Sequence, residues 1–370
     1  PWGHQDILNT EIMTSAFAER ELQVRTEWLE QRVKEGKYIE EPQGMLLKAK
    51  AKISESTFIQ EYRVIHTQTT LYCVPSTHSL FTKPVDKAFN RNHCSGLQPG
   101  EAIRVLRKTE DGWLHVHAGH SIGWVRVEQT TPPITAEKLR EFVTQSPRVV
   151  LLKDRYRLKT GTLLRWGSHY PRRPETSPQS VTVATPDGLA NQILSNQTMH
   201  TDGRTDDEWS VWPLPFTRAN VFKLALSMQG TEYGWGGRKG GRDCSRFLLD
   251  LFRSFDIRLG RHSTAQSRSG MHQIELKGLR PQEKAVRIQE AAKRGVVLLY
   301  MPGHIMLYLG EGPRGPLAIS SLSEYALPSS DASDKVVRVD QVVVTGLELG
   351  AHTTRGSFLQ RLTRLAVFGQ

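Results

Sequence analysis

The sequence predicts an α+β protein. A helical segment and two small antiparallel β-barrels precede a C-terminal domain built as a helix packed on an antiparallel sheet. Three observations carry this reading. Apolar residues recur at helical spacing up to Lys34; short β-rich runs broken by turn signals fill about 63–129; and an amphipathic stretch at 243–255 is followed by several apolar β runs. A length of 370 residues exceeds what one core usually serves, at roughly 100 to 200 residues per domain.

From Gln5 to Lys34 the residues Ile7, Leu8, Ile12, Phe17, Leu22, Trp28, Leu29 and Val33 keep a helical period, and Gly36 supplies a stop. From Arg63 to Gln129 the runs RVIHTQTTLYCVP, LQPGEAIRVLRK, EDGWLHVHAG and HSIGWVRVE alternate with the turn signals Pro99-Gly100, Asp111-Gly112 and Ala118-Gly119, as in a small barrel. ITAEKLREFVTQS then reads as a linker helix. Pro147 to Trp212 reads as a second barrel, interrupted by a Pro-rich loop and by NQTMHTDGRTDDE. Beyond Thr217, Ala219–Gln229 and Asp243–Phe255 are expected helices. GVVLLYMP, HIMLYLG, PLAISS and VVRVDQVVVTG are expected strands, and SFLQRLTRLAV closes the chain.

Composition narrows the function. The longest obvious apolar run, Val296 to Met301, is far short of the roughly 18 residues that span a bilayer, so no membrane span is expected. Lys and Arg number 49 against 38 Asp and Glu, a net charge of +11 that favours polyanionic partners. The basic residues are scattered, the tightest cluster being Arg172-Arg173, so no nucleic-acid arm is read. Of the 3 cysteines none sits in a CxxC pair. Cys73 and Cys94 either form a disulfide or remain two buried thiols. His115, His117 and His120 lack a nearby acidic or thiol partner in sequence, so no metal site and no cofactor are expected.

The chemistry concentrates at Cys244. It follows the Gly-rich run TEYGWGGRKGGRD and opens an amphipathic helix, where first-turn N–H groups and the helix dipole favour a thiolate. Taken alone, a cysteine reads more readily as a small buried hydrophobe, but the Gly-rich approach and the polar Asp243 and Ser245 argue against that here. His304 starts the alternating strand HIMLYLG, sharing a face with Met306 and Tyr308. A Cys at a helix start and a His on a strand are the parts of a nucleophile and its base. His262, closer in sequence, is the rival base.

A family resemblance follows from these motifs. YGWGG, then DCS after five residues, then RLGRHSTAQ and GHIMLYLG resemble the NlpC-type papain-like cysteine peptidases that cut bacterial peptidoglycan stem peptides. The barrel runs resemble the bacterial SH3-like domains of the γ-D-glutamyl-L-diamino acid endopeptidase branch, and the N-terminal segment its helical clip. The resemblance implies a clip at 1–62, an SH3-like barrel at 63–130, a linker helix at 131–146, a second barrel at 147–216 and a papain-like peptidase domain at 217–370.

It also implies roles. Cys244 is the nucleophile and His304 the general base. The residue orienting the imidazole is Ser320, with Ser321 as the less favoured choice, where the family often has His. Asp243, Tyr233 and Ser245 would hold the free amine of L-Ala, although Asp243 reads as well as a helix N-cap, and Tyr233 and Trp235 as packing residues. Arg246, where the family usually has Gly, would narrow the groove or meet a substrate carboxylate. Gly236 and Gly237 would allow close backbone approach beside the thiol.

The implied function is hydrolysis of the γ-D-glutamyl to diaminopimelate or lysine bond through a thioester, with peptidoglycan stem peptides as partners, by a monomer that is periplasmic or secreted. A chain starting at Pro1 fits removal of a targeting peptide or a trimmed boundary alike. The rivals are a cell-wall-binding protein with a catalytic domain weakened by Ser320 and Arg246, and an amidase or acyltransferase on the same thiol fold. An activated Cys244 should alkylate well below pH of about 8.5, the ordinary cysteine value.

Overall fold

A computed structural model describes residues 7–9, 13–39, 41–177, 179–194, 208–329 and 334–369. The chain forms two compact units. One takes residues 1–213 with 235–240, the other residues 214–234 with 241–370. The NQTMHTDGRTDDE loop lies, except for Glu208, outside the described residues.

In the first unit, α1 (Ser15–Lys34) is capped by Thr14, whose hydroxyl accepts from the Phe17 N–H, and it buries Ala18, Leu22, Leu29 and Val33. A helix the sequence reading lacks, α2 (Pro42–Glu55), starts with Pro42 and packs Met45, Leu46 and Ala49 against Leu29, Val33 and Tyr38.

Six antiparallel strands follow: β1 (Thr57–Val64), β2 (Thr69–Tyr72), β3 (His93–Leu97), β4 (Ala102–Lys108), β5 (Trp113–His117) and β6 (Ile122–Arg126), in sheet order β1-β4-β5-β6-β2-β3. Their core is aliphatic: Ile65, Leu71, Leu97, Ile103, Val105, Leu114, Val116 and Val125. Cys73 and Cys94 are joined in a disulfide with a Cα–Cα distance of 5.2 Å, resolving the alternative left open by the sequence. His115 and His117 are buried in β5, where the His115 ring lies 4.9 Å from that of Trp124. No group of metal-ligating side chains occurs among the described residues.

Helix α3 (Ala136–Thr144) is capped by Thr135. Beyond it, β7 (Arg148–Leu151), β8 (Tyr156–Arg157), β9 (Leu163–Leu164), β10 (His169–Pro171), β11 (Ser180–Thr185), β12 (Gly188–Ile193) and β13 (Trp209–Trp212) form three small sheets, β10-β7-β13, β11-β12 and β8-β9. The segment expected to form the second barrel is made of these three sheets. They share one core of Val149, Leu151, Leu164, Tyr170, Val181, Val183 and Trp209, because the turn-rich loops between them leave strands too short for a continuous ladder.

The second unit begins with α4 (Arg218–Leu226) and α5 (Cys244–Arg253) and a short α6 (Ser263–Gln266). Then come β14 (His272–Glu275), α7 (Pro281–Arg294), β15 (Val296–Met301), β16 (His304–Gly312), β17 (Gly315–Leu327), β18 (Lys335–Gly346), α8 (Phe358–Arg361) and β19 (Arg364–Phe368). The six strands form one antiparallel sheet, β14-β19-β15-β16-β17-β18. Helix α7, also absent from the sequence reading, buries Ile288 and Ala291 against Val297, Leu299, Leu365 and Val367. Helix α5 buries Phe247, Leu248, Leu251 and Phe252 and packs on β16 and β17, which places its first residue beside the start of β16. No described helix is long and apolar enough to cross a membrane.

Candidate active site

Asp243 caps α5 from a β conformation, its Oδ1 accepting the Arg246 N–H at 2.9 Å, and this sets Cys244 as the first helical residue. The Cys244 sulfur lies at the backbone N–H of Ile305, one residue past His304. Helix start and strand start therefore meet. His304 opens β16 after the turn that joins it to β15, with Met301 as its register partner. Its Nε2 is 3.0 Å from the Ser320 hydroxyl on β17. Ser321 points elsewhere, donating to the Arg242 carbonyl at 2.6 Å, so of the two serines it is Ser320 that meets the imidazole. His262 is exposed at the entry to α6.

The electrostatics depart from a resting thiolate. Burial first, and then the Asp243 carboxylate, push the Cys244 thiol up to about 12, against the smaller pull of the Ile305 N–H, Arg261 and the Ser245 N–H. Burial, with Arg361 adding to it, pushes His304 down to about 4. At neutral pH the pair is a thiol and a neutral imidazole. The helix dipole favours the thiolate as the sequence suggests, but burial outweighs it.

Asp243 is not available as a lone charge for an ammonium. Arg261 donates to it twice, at 3.0 Å to Oδ1 and 2.5 Å to Oδ2, and both side chains are buried. Burial opposes ionisation of Asp243, yet Arg261, the Arg246 N–H and the Ser245 hydroxyl together hold its carboxyl below the usual range. Ser245 is spent in the same network, donating to Asp243 at 3.0 Å and accepting from Arg261 at 2.9 Å. The expected amine-binding roles of Asp243 and Ser245 are therefore replaced by a buried ion pair that fixes the helix start. Arg261, unassigned by the sequence reading, stood within RLGRHSTAQ. The signal for it was the need of a buried N-cap carboxylate for a counter-charge.

Arg246 also differs from expectation. It is 1% exposed and turns into the core, Nε to Asp250 Oδ1 at 2.9 Å. Arg242 reaches the other oxygen at 2.7 Å, and Arg253 lies 3.8 Å from Oδ1. Asp250, wholly buried, is the reason: a carboxylate one helical turn past Arg246 draws the guanidinium inward.

Tyr233 does lie with the site residues. Burial, Asp243 and Cys244 all raise its hydroxyl pKa, so it is a neutral phenol, and the Ser323 side chain is its hydrogen-bond partner. Trp235 lies in the first unit, donating from Nε1 to the Asn90 carbonyl at 3.0 Å, with the Arg91 guanidinium 4.7 Å over its ring. Gly236 and Gly237 have φ of 56° and 83° and do permit a close approach, but to β3. A Cβ on Gly237 would stand 2.6 Å from the Gly96 Cα.

Residues 230–314 match the NlpC/P60 family. The fold is similar to that of an NlpC/P60 endopeptidase from Photobacterium damselae subsp. piscicida, with 15% identity, 87% of this chain and 78% of that chain covered, and a TM-score of 0.73. It is also similar to an NlpC/P60 family protein from Bacillus cereus ATCC 10987, with 17% identity, 84% of this chain and 100% of that chain covered, and a TM-score of 0.53. No curated protein matches the chain. The matched stretch includes Cys244 and His304.

Proposed function

We infer that the protein is a cysteine peptidase that hydrolyses the γ-D-glutamyl to diamino acid bond of peptidoglycan stem peptides bearing a free N-terminal L-Ala. The observation that carries the chemistry is the pairing of His304 Nε2 with the Ser320 hydroxyl while the Cys244 sulfur sits at the Ile305 N–H.

The geometry suits a neutral general-base mechanism. With Nε2–H donating to Ser320, the imidazole is held in the tautomer whose Nδ1 is a base. As the sulfur attacks the carbonyl carbon, Nδ1 takes the thiol proton. The oxyanion is met by the Cys244 backbone N–H, a first-turn donor without an intrahelical acceptor. Nδ1–H then protonates the departing amine, the C–N bond breaks and a thioester remains. Water, deprotonated by His304, adds to the thioester, and the sulfur leaves to regain its proton. The L-Ala amine is assigned to the pocket of Tyr233, the residue of the expected set that stays near Cys244 without being consumed in the Asp243–Arg261 ion pair.

The remaining features fit this reading. The six-stranded sheet of the first unit is assigned as an SH3-like barrel, the small sheets after α3 as a second one, and α1 with α2 as the clip. The disulfide supports a periplasmic or secreted location, since such bonds persist in oxidising compartments. A second reading, a cell-wall-binding protein with a slow catalytic domain, is favoured by the neutral thiol and by a hydroxyl where a stronger orienting group would better stabilise an imidazolium.

The test incubates L-Ala-γ-D-Glu-meso-diaminopimelate and its N-acetylated form with the protein and follows products by mass spectrometry. Diaminopimelate released from the free peptide alone supports both the bond and the amine pocket. Equal cleavage of the acetylated form removes the amine pocket, and cleavage of neither favours the binding protein.

A further inference from the structure

Helix α8 lies next to the base. The Phe358 ring centre is 6.0 Å from that of His304, and the Arg361 guanidinium stands 5.9 Å over the same phenyl ring. Its charge reaches His304, where it disfavours the imidazolium. Arg355, just before α8, lies close enough to Arg361 for the two cations to oppose each other.

Both cations lack a counter-charge. Arg242, Arg246 and Arg261 each meet a buried carboxylate, Arg338 meets Glu324, and Arg364 meets Glu275. Among the described residues neither Arg361 nor Arg355 has a carboxylate partner. Asp334 accepts from the N–H and hydroxyl of Thr354, the residue next to Arg355, and makes no ion pair with the guanidinium. Burial and Arg355 both act against the half-buried Arg361 cation, so an anion from a ligand would relieve a cost that the fold leaves uncompensated. The planar guanidinium fork matches a carboxylate.

The sheet gives the direction. Tyr233 donates its N–H to the Asp340 carbonyl on β18, and its hydroxyl pairs with Ser323 on β17. Helix α8 instead runs on into β19, and the Thr363 N–H meets the Tyr300 carbonyl on β15. In the order β19-β15-β16-β17-β18, His304 on β16 is thus between the Tyr233 side and the Arg361 side. With the L-Ala amine at Tyr233 and the acyl carbonyl at Cys244, the residue whose amine leaves through His304 extends toward α8.

We propose that Arg361 and Arg355 bind the carboxylates of the leaving diamino acid and so select diaminopimelate over lysine; this assignment rests on the peptidase reading above. Arg361, beside His304, takes the α-carboxylate next to the scissile nitrogen. Arg355, which is exposed, takes the carboxylate at the end of the diaminopimelate side chain. Lysine carries only an ammonium at that end, which Arg355 repels.

The test compares kcat/KM for L-Ala-γ-D-Glu-meso-diaminopimelate and L-Ala-γ-D-Glu-L-Lys. Calorimetric titration of both peptides into Cys244→Ala adds a readout that needs no turnover. The diaminopimelate peptide is expected to be favoured at least about tenfold in both measurements. Arg355→Gln, a change at an exposed position, should bring the preference to within about twofold by raising KM for the diaminopimelate peptide alone. Arg361→Gln should raise KM for both peptides at least about tenfold, and Arg361→Lys should recover part of that loss. Cleavage of both peptides at equal kcat/KM, an unchanged preference in Arg355→Gln, or an unchanged KM in Arg361→Gln would overturn the assignment and leave the peptidase reading standing. Cleavage of neither, with the preference present in calorimetry and lost in Arg355→Gln, would remove the peptidase reading and keep the arginine site. Binding of neither peptide would overturn both.

Discussion

At Cys244 two influences oppose each other. The helix terminus favours a thiolate by about 2 kcal/mol at most. Burial beside the Asp243 carboxylate acts the other way and takes the thiol to about 12. Alkylation by iodoacetamide is therefore expected to be slower at pH 7 than for an ordinary cysteine near 8.5, and to rise roughly tenfold per pH unit through the alkaline range. A plateau of fast alkylation at neutral pH would instead reveal a thiolate–imidazolium pair. Turnover has a separate dependence: His304, at about 4, must be unprotonated to act, so kcat/KM should climb as pH rises past about 4 and be flat across neutrality. In the proposed mechanism Ser320 positions this base through its hydroxyl. Ser320→Ala should lower kcat, but by less than the roughly 10²- to 10⁴-fold expected for His304→Ala. It should also move the acid limb of the pH profile, which a purely structural role would leave in place. The meeting of Cys244 with the start of β16, and of His304 with Ser320, was legible in the sequence from the order of the motifs. The partners of Asp243 and Arg246 were not, since Arg261 and Asp250 reach them only through tertiary packing.

Helix α5 illustrates how an element serves the site. Its buried face carries Arg246 and Asp250 one turn apart, and Arg242 just before the helix completes the group. Removing the carboxylate strands buried guanidinium groups, so Asp250→Ala should cost about 3–5 kcal/mol of stability in chemical denaturation. A loss below about 1 kcal/mol would mean that the arginines find other partners or water. The sequence shows α5 clearly because its phenylalanines and leucines fall on one face. It shows α2 and α7 less clearly, although each begins with a proline and α7 has Glu283 in its capping box. In α7 most of the surface is charged, and few apolar residues mark its buried side. The division of residues 147–212 into three small sheets was not legible, because turn signals count strands without fixing which strands pair.

For the whole molecule the pattern of β-rich runs followed by mixed α and β predicted the order of parts, and the structure adds that residues 235–240 join the first unit although their neighbours on both sides belong to the second. Trp235 belongs to the first unit and Tyr233 to the second, although the family resemblance named both as substrate-binding residues. The net charge of +11 suits carboxylate-rich ligands in the peptidase reading. The central claim is that Cys244 carries the acyl group during hydrolysis. Intact-protein mass spectrometry after acid quench of the enzyme with L-Ala-γ-D-Glu-meso-diaminopimelate tests it most directly. The account predicts a transient adduct of L-Ala-γ-D-Glu on Cys244, with loss of diaminopimelate, absent from Cys244→Ala. Release of diaminopimelate by Cys244→Ala at the wild-type rate would contradict it.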